Sequence, residues 1–147
     1  MKERWWTSPA VAENGQTVIV TGRDYLDKIR EGGKFRYLVR VSWRYNALPD
    51  GMPEEEEAML MEQATDALQT AFRKDKIAYM TGIYTGAGER DWIFYTKNLA
   101  IFGTVFNKAL EPVDQMPLEI EALDDPDWEE YTEMRESSYI PEDEDER

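Results

Sequence analysis

Residues 81–96, TGIYTGAGERDWIFYT, place three glycines within seven positions between two runs rich in aromatic and β-branched residues. A phosphate-binding loop would need a lysine and a hydroxyl after the glycines and then a helix. Here Glu89 and Arg90 follow instead, and they lead into a second strand-like run. Gly86 and Gly88 are better explained by the positive φ angles of a tight hairpin turn. The stretch therefore predicts two antiparallel strands that lie side by side.

The second of these strands has an alternating pattern, because successive side chains of a strand point to opposite faces of the sheet. This alternation predicts that Trp92 and Phe94 face the core. It also predicts that Ile93 and Tyr95 face outward, so that Tyr95 belongs to a possible binding patch.

Working outward from the hairpin, strands and helices alternate along the chain. Strand patterns occupy KFRYLVRVSWRYN (34–46) and PLEIEAL (117–123), and helix patterns occupy residues 54–76 and NLAIFGTVFNKAL (98–110). From residue 34 onward the order is β-α-β-β-α-β. This order predicts an α+β, ferredoxin-like sandwich in which two helices cover one face of a four-stranded antiparallel sheet.

Two segments lie outside this βαββαβ core. TVIVTG (17–22) predicts an extra N-terminal strand, which must extend the sheet at an edge or pack beside it. DDPDWEEYTEMRES (124–137) predicts a C-terminal helix with Asp125 at its N-cap and Pro126 at its first helical position. We expect a single domain over residues 1–137, with its ferredoxin-like core at about 34–123. An acidic tail at 138–147 is expected to be disordered.

The residue types that are missing restrict the chemistry. Among 147 residues there is no Cys and no His, so disulfides, thiolate nucleophiles and His-based catalysis are excluded. We therefore expect a protein without enzymatic activity and without a cofactor. No apolar run approaches the roughly 18 residues of a membrane span, and the N-terminus has no signal-peptide pattern. A cytoplasmic location is the expectation.

The net charge of −14 is concentrated in the last quarter of the chain. Residues 111–147 contain sixteen acidic and two basic residues, whereas residues 1–50 are slightly basic. An acidic surface repels the phosphate backbone of nucleic acids and attracts basic protein surfaces. The distribution therefore predicts a basic protein partner rather than direct nucleic-acid binding, although a purely solubilising role for the acidic segment stays open.

Two groups of residues are candidates for the contact surface. One is an arginine stripe on the open sheet face of the 34–46 strand, which could bind a small anion or a nucleotide, or could be neutralised by Glu119 and Glu121 of the neighbouring strand. The other is the acidic segment around Trp128, which could contact a partner or simply begin a helix. The candidate residues are Arg36, Arg40, Arg44, Tyr95, Asp124, Asp125, Asp127, Trp128, Glu129 and Glu130.

The acidic segment is also the one grouping that could hold a metal ion, and with it a carboxylate-and-metal hydrolase is a further alternative. Its spacing differs from the D-x-[DN]-x-[DN]-G pattern of a calcium loop. Acidic residues at the start of a helix explain it without a metal. We therefore expect no metal site.

Several stretches, in order, resemble an uncharacterised bacterial family, the domain of unknown function 695. They are VRVSW (39–43), DGMPEEEEAMLMEQATDAL (50–68), TGIYTGAGERDWIFYT (81–96) and DPDWEEY (125–131), with a Tyr-Ile-Pro ending. The resemblance covers about residues 35–141 and identifies a family without implying an activity. The hairpin and the D-P-D-W segment are more distantly similar to the B-type regulators of ribonuclease E activity, which are acidic ferredoxin-like proteins that bind the nuclease. That similarity implies a regulatory, protein-binding role linked to RNA metabolism.

Overall fold

The computed structural model describes residues 2–142 and places them in one six-stranded antiparallel sheet with four helices. The strands are β1 (Trp5–Val11), β2 (Thr17–Arg23), β3 (Tyr37–Arg44), β4 (Ala78–Gly86), β5 (Glu89–Thr96) and β6 (Leu118–Asp124). The helices are α1 (Asp27–Glu31), α2 (Glu55–Lys74), α3 (Leu99–Leu110) and α4 (Glu129–Ser138). The strand order across the sheet is β1-β2-β4-β5-β3-β6. The α+β class is confirmed, but the sheet has six strands rather than the four expected.

The central hairpin of β4 and β5 is confirmed, with Gly86 paired to Glu89 across a two-residue turn. Both turn residues have positive φ, 52° at Ala87 and 83° at Gly88. Two positive φ angles are what a type I′ turn requires. Gly86, which directly precedes the turn, also has a positive φ, of 151°. The glycines therefore serve the turn, and Ala87 adopts a left-handed conformation that its sequence alone did not indicate.

The N-terminal strand pair corrects the expectation for residues 17–22. These residues form a strand, β2, which extends the predicted four-stranded unit at its β4 edge, one of the two places expected, but β2 is not the outermost strand because β1 pairs with its other side. The edge is supplied by β1, a strand with no clear signal in the sequence. Trp6 of β1 lies over its partner Gly22, where a Cβ atom would come within 2.1 Å of the indole ring. Glycine at this position lets the large ring pack directly on the sheet.

Helices α2 and α3 cover one face of the sheet, as the sequence predicts. Aromatic rings join both helices to the sheet: Phe94 of β5 lies 5.4 Å from Phe72 of α2 and 5.1 Å from Phe102 of α3, and Phe72 stacks on Phe102 at 5.2 Å between ring centroids. Asn98 begins α3 by accepting a hydrogen bond from the amide of Ile101 at 2.9 Å. The predicted inward position of Trp92 and Phe94 is confirmed, because both are almost fully buried.

The opposite face was expected to be open, and over its central part this is wrong. Helix α4 crosses it and forms a second core with the sheet. The residues that meet there include Leu38, Ile93 and Tyr95 of the sheet and Trp128, Tyr131 and Met134 of the α4 segment. The covering helix explains why Ile93 is fully buried although the alternation placed it outward.

The start of α4 differs from the predicted one. Trp128 precedes the helix in a left-handed conformation with φ of 56°, so Pro126 is not the first helical residue. The Asp125 carboxylate nevertheless caps the helix, because it accepts the amide hydrogens of Glu129 at 2.9 Å and Glu130 at 3.2 Å. The N-cap position is thus Trp128 rather than the predicted Asp125, although Asp125 supplies the capping carboxylate, and the helix begins three residues later than expected.

After α4 the chain returns to the N-terminal strands. The Tyr139 hydroxyl donates a hydrogen bond to Asp24 at 2.9 Å, and Glu142 accepts one from Tyr25 at 2.5 Å. The remainder of the expected acidic tail, residues 143–147, lies outside the described residues. Over residues 2–142, no helix combines the length and the apolar character that crossing a membrane requires.

Candidate interaction surface

Each arginine of the predicted stripe lies next to a carboxylate. Arg36 pairs with Asp124 at 3.1 Å, Arg40 with Glu121 at 3.8 Å and Arg44 with Glu89 at 3.3 Å. The expected neutralisation by Glu121 of β6 is thus present at Arg40, whereas Arg36 and Arg44 pair with other acids than Glu119. These pairs are partly exposed, so each contributes little to stability. Anion or nucleotide binding at the stripe stays a prediction, and the geometry does not favour it.

The exposed position expected for Tyr95 is wrong. Its side chain is fully buried and stacks on Trp128 with ring centroids 4.2 Å apart. Its hydroxyl donates a hydrogen bond to Asp125 at 2.6 Å and accepts the amide hydrogen of Tyr131. Burial, together with the Asp125 carboxylate, raises the pKa of Tyr95. Tyr95 and Trp128 thus hold α4 on the sheet, and neither can contact a partner without unfolding.

The acidic segment divides into structural and exposed residues. Asp125 caps α4, and Glu130 accepts a hydrogen bond from Tyr84 of β4. Asp124, Asp127 and Glu129 remain exposed. Only these three of the five predicted acidic candidates are placed where a partner could reach them.

Two acidic side chains are half-buried, Asp91 of β5 and Glu130 of α4. One oxygen of Asp91 and one of Glu130 are shielded from solvent without a hydrogen-bond partner among the described residues. Burial raises the pKa of both carboxyls, and the neighbouring Glu89 helps to raise that of Asp91 to about 6. Within residues 2–142, however, no group of three or more acidic residues is arranged to hold a metal ion.

Strand β6 carries exposed acidic residues, Glu119 and Glu121, that were not among the candidate contact residues predicted from the sequence. Among residues 2–142 the strand pairs only with β3, and six of its seven residues are exposed. Glu119 and Glu121 lie on the same face as α4 and are exposed, and Glu119 forms no ion pair within the described part of the chain. We call the exposed acids of this region the acidic edge: Glu119, Glu121, Asp124, Asp127 and Glu129.

The other face of β6 borders a groove of about 390 Å³, lined by apolar residues and also by Asn107, Glu111, Asp114 and Gln115. Ile120 lies in this groove and is 56 % exposed, which is unusual for an isoleucine within a sheet. The groove runs between β6 and the C-terminal end of α3, and its apolar lining is formed by Phe106, Leu110, Val113, Met116, Leu118 and Ile120. The alternation Leu-Glu-Ile-Glu-Ala in residues 118–122 predicts these two faces correctly, because it separates acids from apolar residues, but it does not show that the strand lies at an edge.

The fold and the surface define an α+β protein with a six-stranded antiparallel sheet, helices on both faces and one acidic edge strand. The chain belongs to the Family of unknown function (DUF695), whose model matches residues 5–134. No curated protein and no solved structure shows a significant match to the chain. The family predicted from the sequence is confirmed, and the more distant similarity to regulators of ribonuclease E is not shown.

Proposed function

We propose that the protein is a non-catalytic regulatory module that binds a basic protein partner through the acidic edge. The observation that carries this proposal is the exposure of five carboxylates in the short stretch from Glu119 to Glu129, of which two have a basic ion-pair partner. Such a surface has an excess negative potential and attracts basic proteins, with an association rate that falls as salt increases.

The division of the acidic residues supports this proposal over a hydrolytic one. Asp125 caps α4, and Glu130 accepts a hydrogen bond from Tyr84. These two carboxylates are therefore engaged in the fold, and the acidic segment does not offer all five of its carboxylates to a metal ion. The remaining acids point to solvent from a strand edge and the turn that follows it. This arrangement suits a contact surface better than a catalytic cleft, since it provides no enclosed site.

We also propose that strands β3, β4, β5 and β6 with α2 and α3 correspond to a ferredoxin-like unit. The order β4-β5-β3-β6 in this part of the sheet, with both helices on one face, supports this view. Strands β1 and β2 and helix α4 would then be additions to that unit. A role in RNA metabolism rests on the distant similarity alone, so the identity of the partner is left to experiment.

The test is co-purification with three forms of the tagged full-length chain from a lysate of the source organism. The edge variant neutralises four acids of the acidic edge: Glu119→Gln, Glu121→Gln, Asp127→Asn and Glu129→Gln. The control variant neutralises four exposed acids elsewhere: Glu13→Gln, Asp27→Asn, Glu31→Gln and Asp66→Asn.

We expect a basic protein to be retained by the unmodified chain and by the control variant, and to be lost from the edge variant. Because both variants change the net charge by the same amount, a loss in the edge variant alone reports the position of the contact. Equal retention by all three forms, or no retained basic protein at low salt, would contradict the proposal.

A further inference from the structure

The two edges of the sheet differ in how they are protected against pairing with another strand. Edge strands present unpaired backbone N–H and C=O groups, and proteins often block them with proline or cover them. Strand β1 contains Pro9, which lacks the N–H that a ladder needs. Strand β6, LEIEALD, has neither proline nor glycine over seven residues, and all but Leu118 are exposed. The β6 edge is therefore open to pairing along its whole length.

The side chains of β6 define what a further strand beside it must look like. On the face covered by α2 and α3, Leu118 and Ile120 border the groove, and Ala122 lies on the same face. On the α4 face, Glu119 and Glu121 present carboxylates to solvent. A strand placed alongside has the same period of two, so its apolar residues would lie over the groove and its alternate residues would lie opposite the acids.

A second copy of this chain does not meet that requirement. Pairing of two copies around a two-fold axis makes each residue meet its own counterpart or a neighbour of it. An antiparallel β6 pair centred on Glu121 places Glu121 opposite itself, and one centred on Ile120 places Glu119 opposite Glu121. Like charges directly opposite each other destabilise a strand pair. The edge therefore disfavours its own copy and favours a basic strand.

We propose that β6 accepts an extended segment of the partner as a seventh strand, with Lys or Arg at every second position and apolar residues between them. This inference deepens the proposed function and rests on it. Backbone hydrogen bonds to the β6 edge hold the added strand in an extended conformation. Glu119 and Glu121 select its basic residues, and the groove at Ile120 receives its apolar residues. Arg40 lies 3.8 Å from one Glu121 oxygen, and the Glu121 side chain is still 59 % exposed, so a second cation can approach it.

The experiment uses the isotope-labelled full-length chain and a synthetic peptide with the order Thr-Lys-Val-Lys-Val-Lys-Val-Lys-Thr. A block peptide has the same composition with the lysines first and the valines last. Two further peptides have the alternating order but are N-methylated at either the odd or the even central amides. Only one of these two alternate sets can donate hydrogen bonds to β6 in any one register, because the amides of a strand point alternately to its two edges.

We expect the alternating peptide to shift the amide resonances of residues 118–124 and to slow their hydrogen exchange. Its affinity should exceed that of the block peptide by at least tenfold, and one methylated peptide should lose binding while the other keeps it. Glu119→Gln with Glu121→Gln should weaken the alternating peptide at least fivefold, whereas Glu13→Gln with Glu31→Gln should leave it unchanged.

Equal binding of all four peptides would overturn strand addition and leave the acidic surface as a diffuse electrostatic site. Absence of peptide binding, in a chain that still retains its basic protein from the lysate, would also overturn strand addition but not the proposed function. A concentration-dependent dimer held by residues 118–124 would show that a second copy is the occupant and would overturn the choice of a basic partner.

Discussion

At the scale of single residues, the fold is stabilised on its α4 side by buried polar groups. Asp24 is 4 % exposed, and its carboxylate accepts hydrogen bonds from Arg4 at 2.8 Å, Arg135 at 3.0 Å and Tyr139 at 2.9 Å. Burial alone would raise the pKa of Asp24, but the hydrogen bonds from the Tyr25 amide and from these side chains hold it below its usual value. One ionised carboxylate thus joins β1, β2 and α4.

Replacement of this carboxylate is expected to destabilise the protein in a pH-dependent way. Asp24→Asn should lower the free energy of unfolding by about 2 kcal/mol at pH 7, because hydrogen bonds to a charged group are lost. The folded-state pKa is lowered, so the stabilisation is present above the unfolded-state pKa of about 4 and disappears as pH falls below it. Urea unfolding at pH 7 and pH 3, with the exposed Asp27→Asn as control, measures this. A difference that stays the same at both pH values would contradict the role of the charge.

Asp91 should behave in the opposite way. Its folded-state pKa is raised to about 6, so ionisation is unfavourable in the folded protein and stability is lost as pH rises through 6. Asp91→Asn is therefore expected to raise the melting temperature at pH 8 and to have little effect at pH 4, where the carboxyl is neutral in the folded state. Thermal unfolding at these two pH values tests the sign. A lower melting temperature of the variant at pH 8 would show that the ionised carboxylate is stabilising.

Single residues also show what could be predicted from the sequence. Trp92 and Phe94 were placed in the core correctly, because alternation identifies the two faces of a strand. The same alternation placed Ile93 and Tyr95 in solvent, and they are buried. Alternation alone does not reveal whether the second face is covered, and the helix that covers it begins at Glu129, far along the chain.

At the scale of elements, α4 depends on the stacking of Trp128 against Tyr95 and on the Trp128 hydrogen bond to the Phe35 carbonyl at 2.7 Å. Trp128→Ala should lower the free energy of unfolding by about 3–5 kcal/mol, as for other large-to-small changes in a core. Urea unfolding followed by tryptophan fluorescence and circular dichroism gives this value. Trp128→Phe, which keeps a ring but loses the hydrogen bond, is expected to cost less. Unchanged stability of Trp128→Ala would mean that the residue is a contact residue instead.

The hairpin turn offers a stabilising change. Ala87 occupies a left-handed conformation with φ of 52°, which is unfavourable for a residue with a Cβ atom. Ala87→Asn creates the Asn-Gly pair preferred in type I′ turns and should raise the free energy of unfolding by about 0.5 kcal/mol. Chemical denaturation measures the change, and Ala87→Val is the control that should destabilise. If the asparagine variant were the less stable one, the turn would be of another type.

The elements themselves were predicted to different extents. The strands and helices from residue 34 to residue 123 have strong periodicity and were identified with small errors at their ends. Strand β1 was missed because Pro9 and the polar residues near it are atypical of strands, and only its place at the sheet edge makes them tolerable. Because β1 was missed, the sequence left open whether β2 extends the sheet at an edge or packs beside it, and β2 is in fact flanked by β1 and β4.

At the scale of the whole molecule, the uneven distribution of charge was evident from the sequence, but the structural role of each acidic residue was not. Counting could not distinguish Asp125 and Glu130, which serve the fold, from Asp127 and Glu129, which face solvent. Glu119 and Glu121 were expected only to neutralise the arginine stripe, because their exposure depends on β6 being the last strand of the sheet. The acidic edge thus depends both on the acidic composition of residues 119–129 and on the position of β6 at the end of the sheet.

The most direct measurement is the dissociation constant of the retained basic protein at several salt concentrations, for the unmodified chain, the edge variant and the control variant. We predict that the edge variant binds at least tenfold more weakly at low salt and depends less on salt, because exposed charges are screened over about 10 Å at 0.1 M. The control variant should match the unmodified chain. Equal constants and equal salt dependence for the edge and control variants would contradict binding through the acidic edge.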